Sequence, residues 1–213
     1  MRLINTHQVP SFAEEKLLES QGYRLIAGID EVGRGALMGP VVAAAVVLPR
    51  DVKTHWQDKV RESKQLSPAK REFLSGCINE IAIAVGIGVE PPEVIDAQGI
   101  VRATRLAMKS AIDQLVPQPQ FLLIDYLVLP EVALPQKGIT DGDSLCFSIA
   151  CASIVAKVAR DRLMVEMDGV YPGYGFARHK GYGTEQHLAC LRRQGPCPLH
   201  RRSFRPLREM LER

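Results

Sequence analysis

The sequence has no long hydrophobic run. No stretch approaches the roughly 18 apolar residues of a membrane-spanning helix, so nothing in it is expected to span a membrane. The opening residues, MRLINTHQVPSFAEEK, lack the apolar core of a secretory signal. Cysteine is scarce and odd in number: Cys77, Cys146, Cys151, Cys190 and Cys197, with no CxxC pair. That pattern argues against a disulfide framework and against a zinc cluster. Several of the five stand among small apolar residues and read as buried thiols. A reducing cytoplasm is the expected setting. Internal repeats and low-complexity segments are also missing.

What remains is an ordinary globular composition. The 213 residues are 46% hydrophobic and 24% charged, enough for one sizeable domain with at most a small appendage. The net charge of +3 is unevenly spread. From Tyr171 to Arg213 there are nine Lys/Arg and three acids, a surplus of six, which leaves the rest of the chain at −3. A basic end suits a polyanion, although a solvated helical surface would look the same.

Periodicity outlines the elements. SFAEEKLLESQGY starts with a capping-box pattern, Ser11 and Glu14, then Leu17 and Leu18 facing inward and a stop at Gly22. Residues 24–30 and 41–49 are β-branched strands joined by a glycine-rich loop, hence an antiparallel pair. A helix capped by Ser67 with Pro68 in its first turn follows, then a strand over 81–90. A long helix from 91 carries Ile100, Ala103, Leu106, Ala107, Ser110 and Ala111 at helical spacing. A short apolar strand covers 120–125. Residues 143–168 form a second long helix with a small-residue face of Ala152, Ala156 and Ala159. The tail holds two shorter helices. This order predicts an α/β layer fold with a mixed sheet flanked by helices.

The chemistry lies where apolar strands end. AGIDEVGRGALMGP, residues 27–40, closes a strand with Asp30 and Glu31 and continues into Gly33-Arg34-Gly35. A second strand ends at Asp125, and Asp143 opens a helix. Four converging carboxylates repel one another unless a cation sits among them. Oxygen ligands favour Mg²⁺ or Mn²⁺, and a pair of such ions is the known clamp for phosphodiester attack. Taken singly, each acid could be a cap or a turn residue. Glycines let backbone approach a ligand, and Arg34 offers a phosphate donor; an ordinary hairpin turn could also read this way.

The stretch GIDEVGRGALMGPVVAAAVVL resembles the signature of the type 2 ribonucleases H, the bacterial ribonuclease HII family. Further blocks follow in order: SKQLSP (63–68), VRATRLAM (101–108), FLLID (121–125), GDSLCFSIACASIVAKVARDR (142–162), YPGYGFARHKGYGT (171–184) and HRRSFRP (200–206). The resemblance implies a ribonuclease H-like fold with an N-terminal helical extension (1–23), a catalytic domain (24–170) and a basic helical substrate-binding region (171–213). It implies hydrolysis of the RNA strand of RNA–DNA hybrids and incision at single ribonucleotides in duplex DNA, a step of ribonucleotide excision repair. The ends would be 3′-hydroxyl and 5′-phosphate.

The same resemblance assigns Asp30, Glu31, Asp125 and Asp143 to a Mn²⁺ or Mg²⁺ site. It assigns Gly33, Arg34 and Gly35 to sensing the ribose 2′-hydroxyl, and Tyr182 to stacking on the next sugar. Ser63, Lys64 and Lys180 match phosphate-contacting positions. No obligate protein partner is evident and a monomer is expected. Departures from the family pattern are Tyr126 where glycine is usual, Gln65 where a second lysine is usual, Cys151 for alanine, and ALMGP after the loop. Every acid is kept. The competing expectations are a type 3 ribonuclease H, a related DNA-cutting nuclease and a non-catalytic binding module.

Overall fold

The computed structural model describes residues 9–50 and 52–212. The first eight residues of the expected N-terminal extension, with Asp51 and Arg213, lie outside them. Along the chain run α1 (Ala13–Ser20), β1 (Ile26–Val32), β2 (Val41–Val47), α2 (Pro68–Ile81), β3 (Ala84–Glu90), α3 (Pro92–Gln98), α4 (Ile100–Asp113), β4 (Phe121–Asp125), β5 (Gln136–Ile139), α5 (Gly142–Leu145), α6 (Phe147–Val170), α7 (Phe176–His179), α8 (Glu185–Gln194) and α9 (Arg205–Leu211).

The five strands form one mixed sheet in the order β3-β2-β1-β4-β5. The pairs β1–β2 and β2–β3 are antiparallel, while β1–β4 and β4–β5 are parallel. Strand alternation sends side chains to opposite faces. Ala27, Ile29, Ala43 and Ala45 pack with Ala103, Ala107, Met108 and Ala111 of α4 on one face. Ala44 and Val46 pack with α6 and with Leu74 and Ile78 of α2 on the other. The helix α6 lies unusually close to β1. A Cβ on Gly28 would sit 2.1 Å from the Ser148 carbonyl carbon, so only glycine admits this approach.

A third apolar cluster ties the basic end to the loop after β1. Leu37 and Met38 pack with Met164 of α6, Tyr174, Phe176, Leu191 and Leu207.

Four expectations are corrected here. Leu17 is 52% exposed while Leu18 is buried. Ser11 is not the cap of α1, because its backbone is bridged to Cys146 and the cap position falls to Phe12; Glu14 pairs with Lys137 instead. The helix expected from residue 91 is two helices, divided at Gly99 with φ of +80°. The helix expected over 143–168 breaks at Cys146, whose backbone is extended, so Asp143 stands on its own helical turn. Two further elements have almost no local signal: β5, whose four residues QKGI bury only Ile139, and the one-turn α7.

Candidate active site

The register of the sheet gathers the acids. Parallel pairing sets Ile29 beside Ile124, so the next residues, Asp30 and Asp125, reach the same sheet edge. That edge is the carboxyl end of parallel strands, where open α/β sheets bind ligands. Carboxylate oxygens of Asp30, Glu31 and Asp125 lie within 4.8 Å of one another. Asp143 borders the same cavity from α5 but stands outside this triad.

Local backbone holds each acid. The Glu31 N–H donates to Asp30 Oδ1 at 2.7 Å, and the Gly142 N–H donates to Asp125 Oδ1 at 2.7 Å. A Cβ on Gly142 would lie 3.2 Å from that same carboxylate oxygen and 2.8 Å from Ile149 Cδ1. Ser153 of α6 lines the same cavity, and the Ser63 and Ser153 hydroxyls share a bond of 2.9 Å. Glu31 Oε1 accepts from Arg34 at 3.1 Å, whereas Glu31 Oε2 is buried with no partner among the described residues.

The charge state of the cluster follows from this crowding. Burial, then Glu31 and Asp125, raises Asp30 well above the ordinary carboxylate range. Burial raises Glu31 against the opposing pull of Arg34. Burial also raises Asp125, with the Gly142 N–H opposing. Asp143 is pushed up to about 6 by burial, Asp125 and Glu62. Burial is the largest cause of all four shifts, and neighbouring carboxylates add to it at Asp30, Asp125 and Asp143. A hard divalent cation would relieve them, and the carboxylate oxygens gathered within 4.8 Å offer it ligands. The residues fit such an ion.

The cavity measures about 260 Å³. Asp30, Glu31, Asp125, Asp143, Gly33, Arg34, Gly35, Ser63, Lys64 and Tyr182 all line it. Two of these differ in detail from expectation. Ser63 is 5% exposed and its hydroxyl is engaged by Ser153. Lys64 is highly exposed and lies 3.4 Å from Glu62. Lys180 is not in the cavity: its Nζ donates to the Ala177 carbonyl, and it borders an adjacent groove with Arg71, Lys157, Arg162 and Arg178.

Two arginines that the sequence reading passed over shape the loop. Arg160 is fully buried and donates to the carbonyls of Pro40, Lys180 and Met38 at 2.9, 2.8 and 3.0 Å. Arg201, also fully buried, donates to the Gly39 and Arg34 carbonyls at 2.9 and 2.8 Å. The Arg160 guanidinium stacks over the Tyr182 ring at 5.6 Å. Gly33, with φ of +89°, lets Arg160 pass beneath it, because a Cβ there would lie 2.1 Å from Arg160 Nε. Their signal was hidden because both looked like surface cations in charged segments. With Arg201 buried, the tail's exterior is less basic than its residue count.

Tyr126 keeps a left-handed backbone, φ of +58°, which explains why glycine suits that position. The four cysteines Cys146, Cys151, Cys190 and Cys197 are buried, and all five are free thiols. Among the described residues, no helix is long and apolar enough to cross a membrane.

Comparison with known proteins agrees with the geometry. The family model described as Ribonuclease HII matches residues 27–206. A Ribonuclease HII from Dehalococcoides mccartyi is 60% identical over 203 residues, covering 95% of this chain and 96% of that one. The crystal structure of the ribonuclease H2 from Pyrococcus horikoshii superposes with a TM-score of 0.75 at 25% identity, over 88% of this chain and 97% of that one. A Bst-RNase HIII solved in complex with Mn²⁺ is similar in fold only, at 20% identity and a TM-score of 0.64, over 98% of this chain and 72% of that one. The acids at one sheet edge, the glycine-arginine-glycine loop and the match across nearly the whole sequence therefore have one explanation: this chain belongs to the ribonuclease HII family and is a ribonuclease, a phosphodiester hydrolase.

Proposed function

We propose that this ribonuclease cleaves the RNA strand of RNA–DNA hybrids and incises duplex DNA 5′ of single embedded ribonucleotides, leaving 3′-hydroxyl and 5′-phosphate ends. The observation that carries this reading is one cavity holding both a carboxylate triad within 4.8 Å and the Gly33–Gly35 loop with Tyr182. Asp30, Glu31 and Asp125 would hold Mg²⁺ or Mn²⁺, with Asp143 completing the site. Bound divalent ions in such a site supply an activated water and neutralise charge building on the phosphate.

The chain's own residues do the selecting. The 2′-hydroxyl is the one group that separates ribose from deoxyribose at a single residue. The Gly33–Gly35 backbone can approach it closely, and Arg34, tethered to Glu31, joins that loop to the acids. Tyr182 offers a flat ring to the following sugar and leaves no room for a second 2′-hydroxyl. Lys64 and the cationic groove containing Lys180 and Arg178 would track phosphates, with residues 171–213 serving as a substrate-binding region. The work fits repair in the cytoplasm, where the free thiols stay reduced.

The test compares three duplexes: one with a single ribonucleotide, a long RNA–DNA hybrid, and all DNA. Each is incubated with Mg²⁺, Mn²⁺ or a chelator. Cleavage of the first two only, with metal only, and abolished by Asp30→Asn, is expected. Cutting of the all-DNA duplex would favour a DNA nuclease of related fold.

A further inference from the structure

Three histidines are packed behind Tyr182, and the catalytic reading gives them no task. His187, His200 and His179 are 0%, 1% and 8% exposed. The His179 and His187 rings stack at 4.4 Å, and Phe176 meets both edge-on. The ring nitrogens of His200 and His187 form a chain whose direction can be settled. The Cys197 backbone N–H lies 2.9 Å from His200 Nδ1 and can only donate, so that nitrogen is an acceptor. The Cys197 carbonyl is also 3.2 Å from Nδ1, but a proton there would face the amide hydrogen. His200 therefore carries its proton on Nε2 and donates to His187 Nε2 at 3.0 Å. His187 is left with its proton on Nδ1, which donates to the Tyr182 carbonyl at 2.9 Å. By the same reasoning the Gly181 N–H donates to His179 Nδ1, and His179 Nε2 donates to the Tyr174 carbonyl.

We propose that His187 and His200 are positioning residues for Tyr182, a directed relay from the Cys197 amide to the Tyr182 carbonyl that fixes how the tyrosine ring is presented to the substrate sugar. This rests on the reading of Tyr182 as the sugar-stacking residue. The turn needs such support. Lys180 and Gly181 both have left-handed backbone, at φ of +53° and +80°, and strained turns persist only when their surroundings over-determine them. Tyr182 is gripped on both sides: Arg160 lies over its ring, and its carbonyl accepts from His187 and from the Thr184 N–H at 2.8 Å. The relay requires both rings to be neutral. Burial lowers His187 and His200 to about 4, so they are neutral at pH 7.

Two measurements test it. First, ¹⁵N spectra of the imidazoles at pH 7 should show His187 as the less common Nδ1–H tautomer and His200 as Nε2–H; a charged His187, or an Nε2–H His187, overturns the relay. Second, rates on the single-ribonucleotide duplex and on the long hybrid are compared for His187→Leu, His200→Gln, Tyr182→Ala and the double variant His187→Leu with Tyr182→Ala. His187→Leu should lose about tenfold on the single-ribonucleotide duplex, the size of one buried hydrogen bond, and less on the hybrid. His200→Gln keeps an Nε donor toward His187 and should retain most activity, which covers the case of a Leu variant that folds poorly. In the Tyr182→Ala background the His187 effect should vanish. A full effect persisting there means that His187 acts elsewhere, and the proposal fails. If Tyr182→Ala leaves the substrate ratio unchanged, the sugar-stacking reading has failed and the positioning role falls with it; intact tautomers would then mark that reading as the faulty step.

Discussion

The two glycines around Arg34 have the same chemistry in the sequence but different surroundings in the fold, and a pair of alanine substitutions separates folding from substrate reading. Gly33 has φ of +89°, and a Cβ would meet Arg160 at 2.1, 2.7 and 2.8 Å. Arg160 cannot give way easily, because its guanidinium is held by three carbonyls. Gly33→Ala thus combines left-handed strain of about 1–2 kcal/mol with overpacking of about 1–3 kcal/mol. The sum, roughly 2–5 kcal/mol, corresponds to a fall in Tm of roughly 5–20 °C for a chain of this size. At Gly35 a Cβ meets nothing within 4 Å, and the backbone is outside the left-handed region. Gly35→Ala should shift stability by no more than about 0.5 kcal/mol. Any loss of cleavage in that variant must come from the substrate side of the loop. Thermal melting and paired rates on the single-ribonucleotide and hybrid duplexes are the assays. An intact melting curve with reduced incision at the single ribonucleotide is expected for Gly35→Ala. Wild-type rates on both duplexes would refute the idea that this backbone touches the 2′-hydroxyl. An unchanged melting curve for Gly33→Ala would refute the arginine clamp.

Other perturbations probe the remaining parts. Asp30→Asn should cost at least about two orders of magnitude in rate and abolish the rise in Tm expected of the wild type with Mg²⁺ or Mn²⁺; near-normal turnover would remove Asp30 from the metal site. Arg178 is exposed beside the cavity, so Arg178→Ala should weaken binding to all duplexes alike and lower the salt slope by about 1, as read by fluorescence anisotropy across a salt series. Tyr126→Gly exchanges relief of left-handed strain for unfolded-chain entropy and should leave Tm within a few degrees, since the ring is 64% exposed; a large loss would show that the ring is needed. His187 and His200 have folded pKa values of about 4, below the 6.5 of free histidine, so the unfolded chain binds more protons between those values. Stability is then full above pH 6.5 and falls by a few kcal/mol as pH drops towards 4, measurable as denaturant midpoints that should flatten in His200→Gln.

What was legible in the sequence, and what was not, divides along the range of the interactions. The strands β1, β2, β3 and β4, the cap at Ser67 and the helix after Thr184 rest on local patterns, and they appear close to where periodicity put them. The acids were found because each closes an apolar strand, and a strand end is a local feature. Breaks in helices were harder. Neither glycine nor proline marks a break at Cys146, yet Ser11 pairs with the chain on both sides of it: the Ser11 N–H with the Leu145 carbonyl, and the Ser11 carbonyl with the Phe147 N–H. No local pattern carries that information. Leu17 and Leu18 are adjacent and equally apolar, and only the cluster of Ile26, Leu123, Ile139 and Ile149 beneath α1 decides which is covered. The short β5 exists because β4 offers it an edge, not because QKGI is a strong strand former.

The arginine clamp shows why the rest of the site resisted reading. A sequence gives each arginine a charge but no address, and Arg160 and Arg201 lie 126 and 167 positions from Arg34. In the fold they enter the interior with carbonyl partners instead of carboxylates. Burial lowers Arg160, and burial with Arg160 as neighbour lowers Arg201 to about 9; a guanidinium in a protein stays charged, so both need acceptors. The carbonyls supply these without neutralising the acids. An arginine aimed at Asp30 or Asp125 would hold the loop just as firmly, but it would quench the negative charge that draws a divalent ion. Among the described residues, Arg34 is the cation that forms an ion pair with the triad, and it does so at Glu31. Holding a glycine loop rigid beside four carboxylates, while leaving their charge available, is a requirement that backbone-directed arginines meet and ion pairs do not.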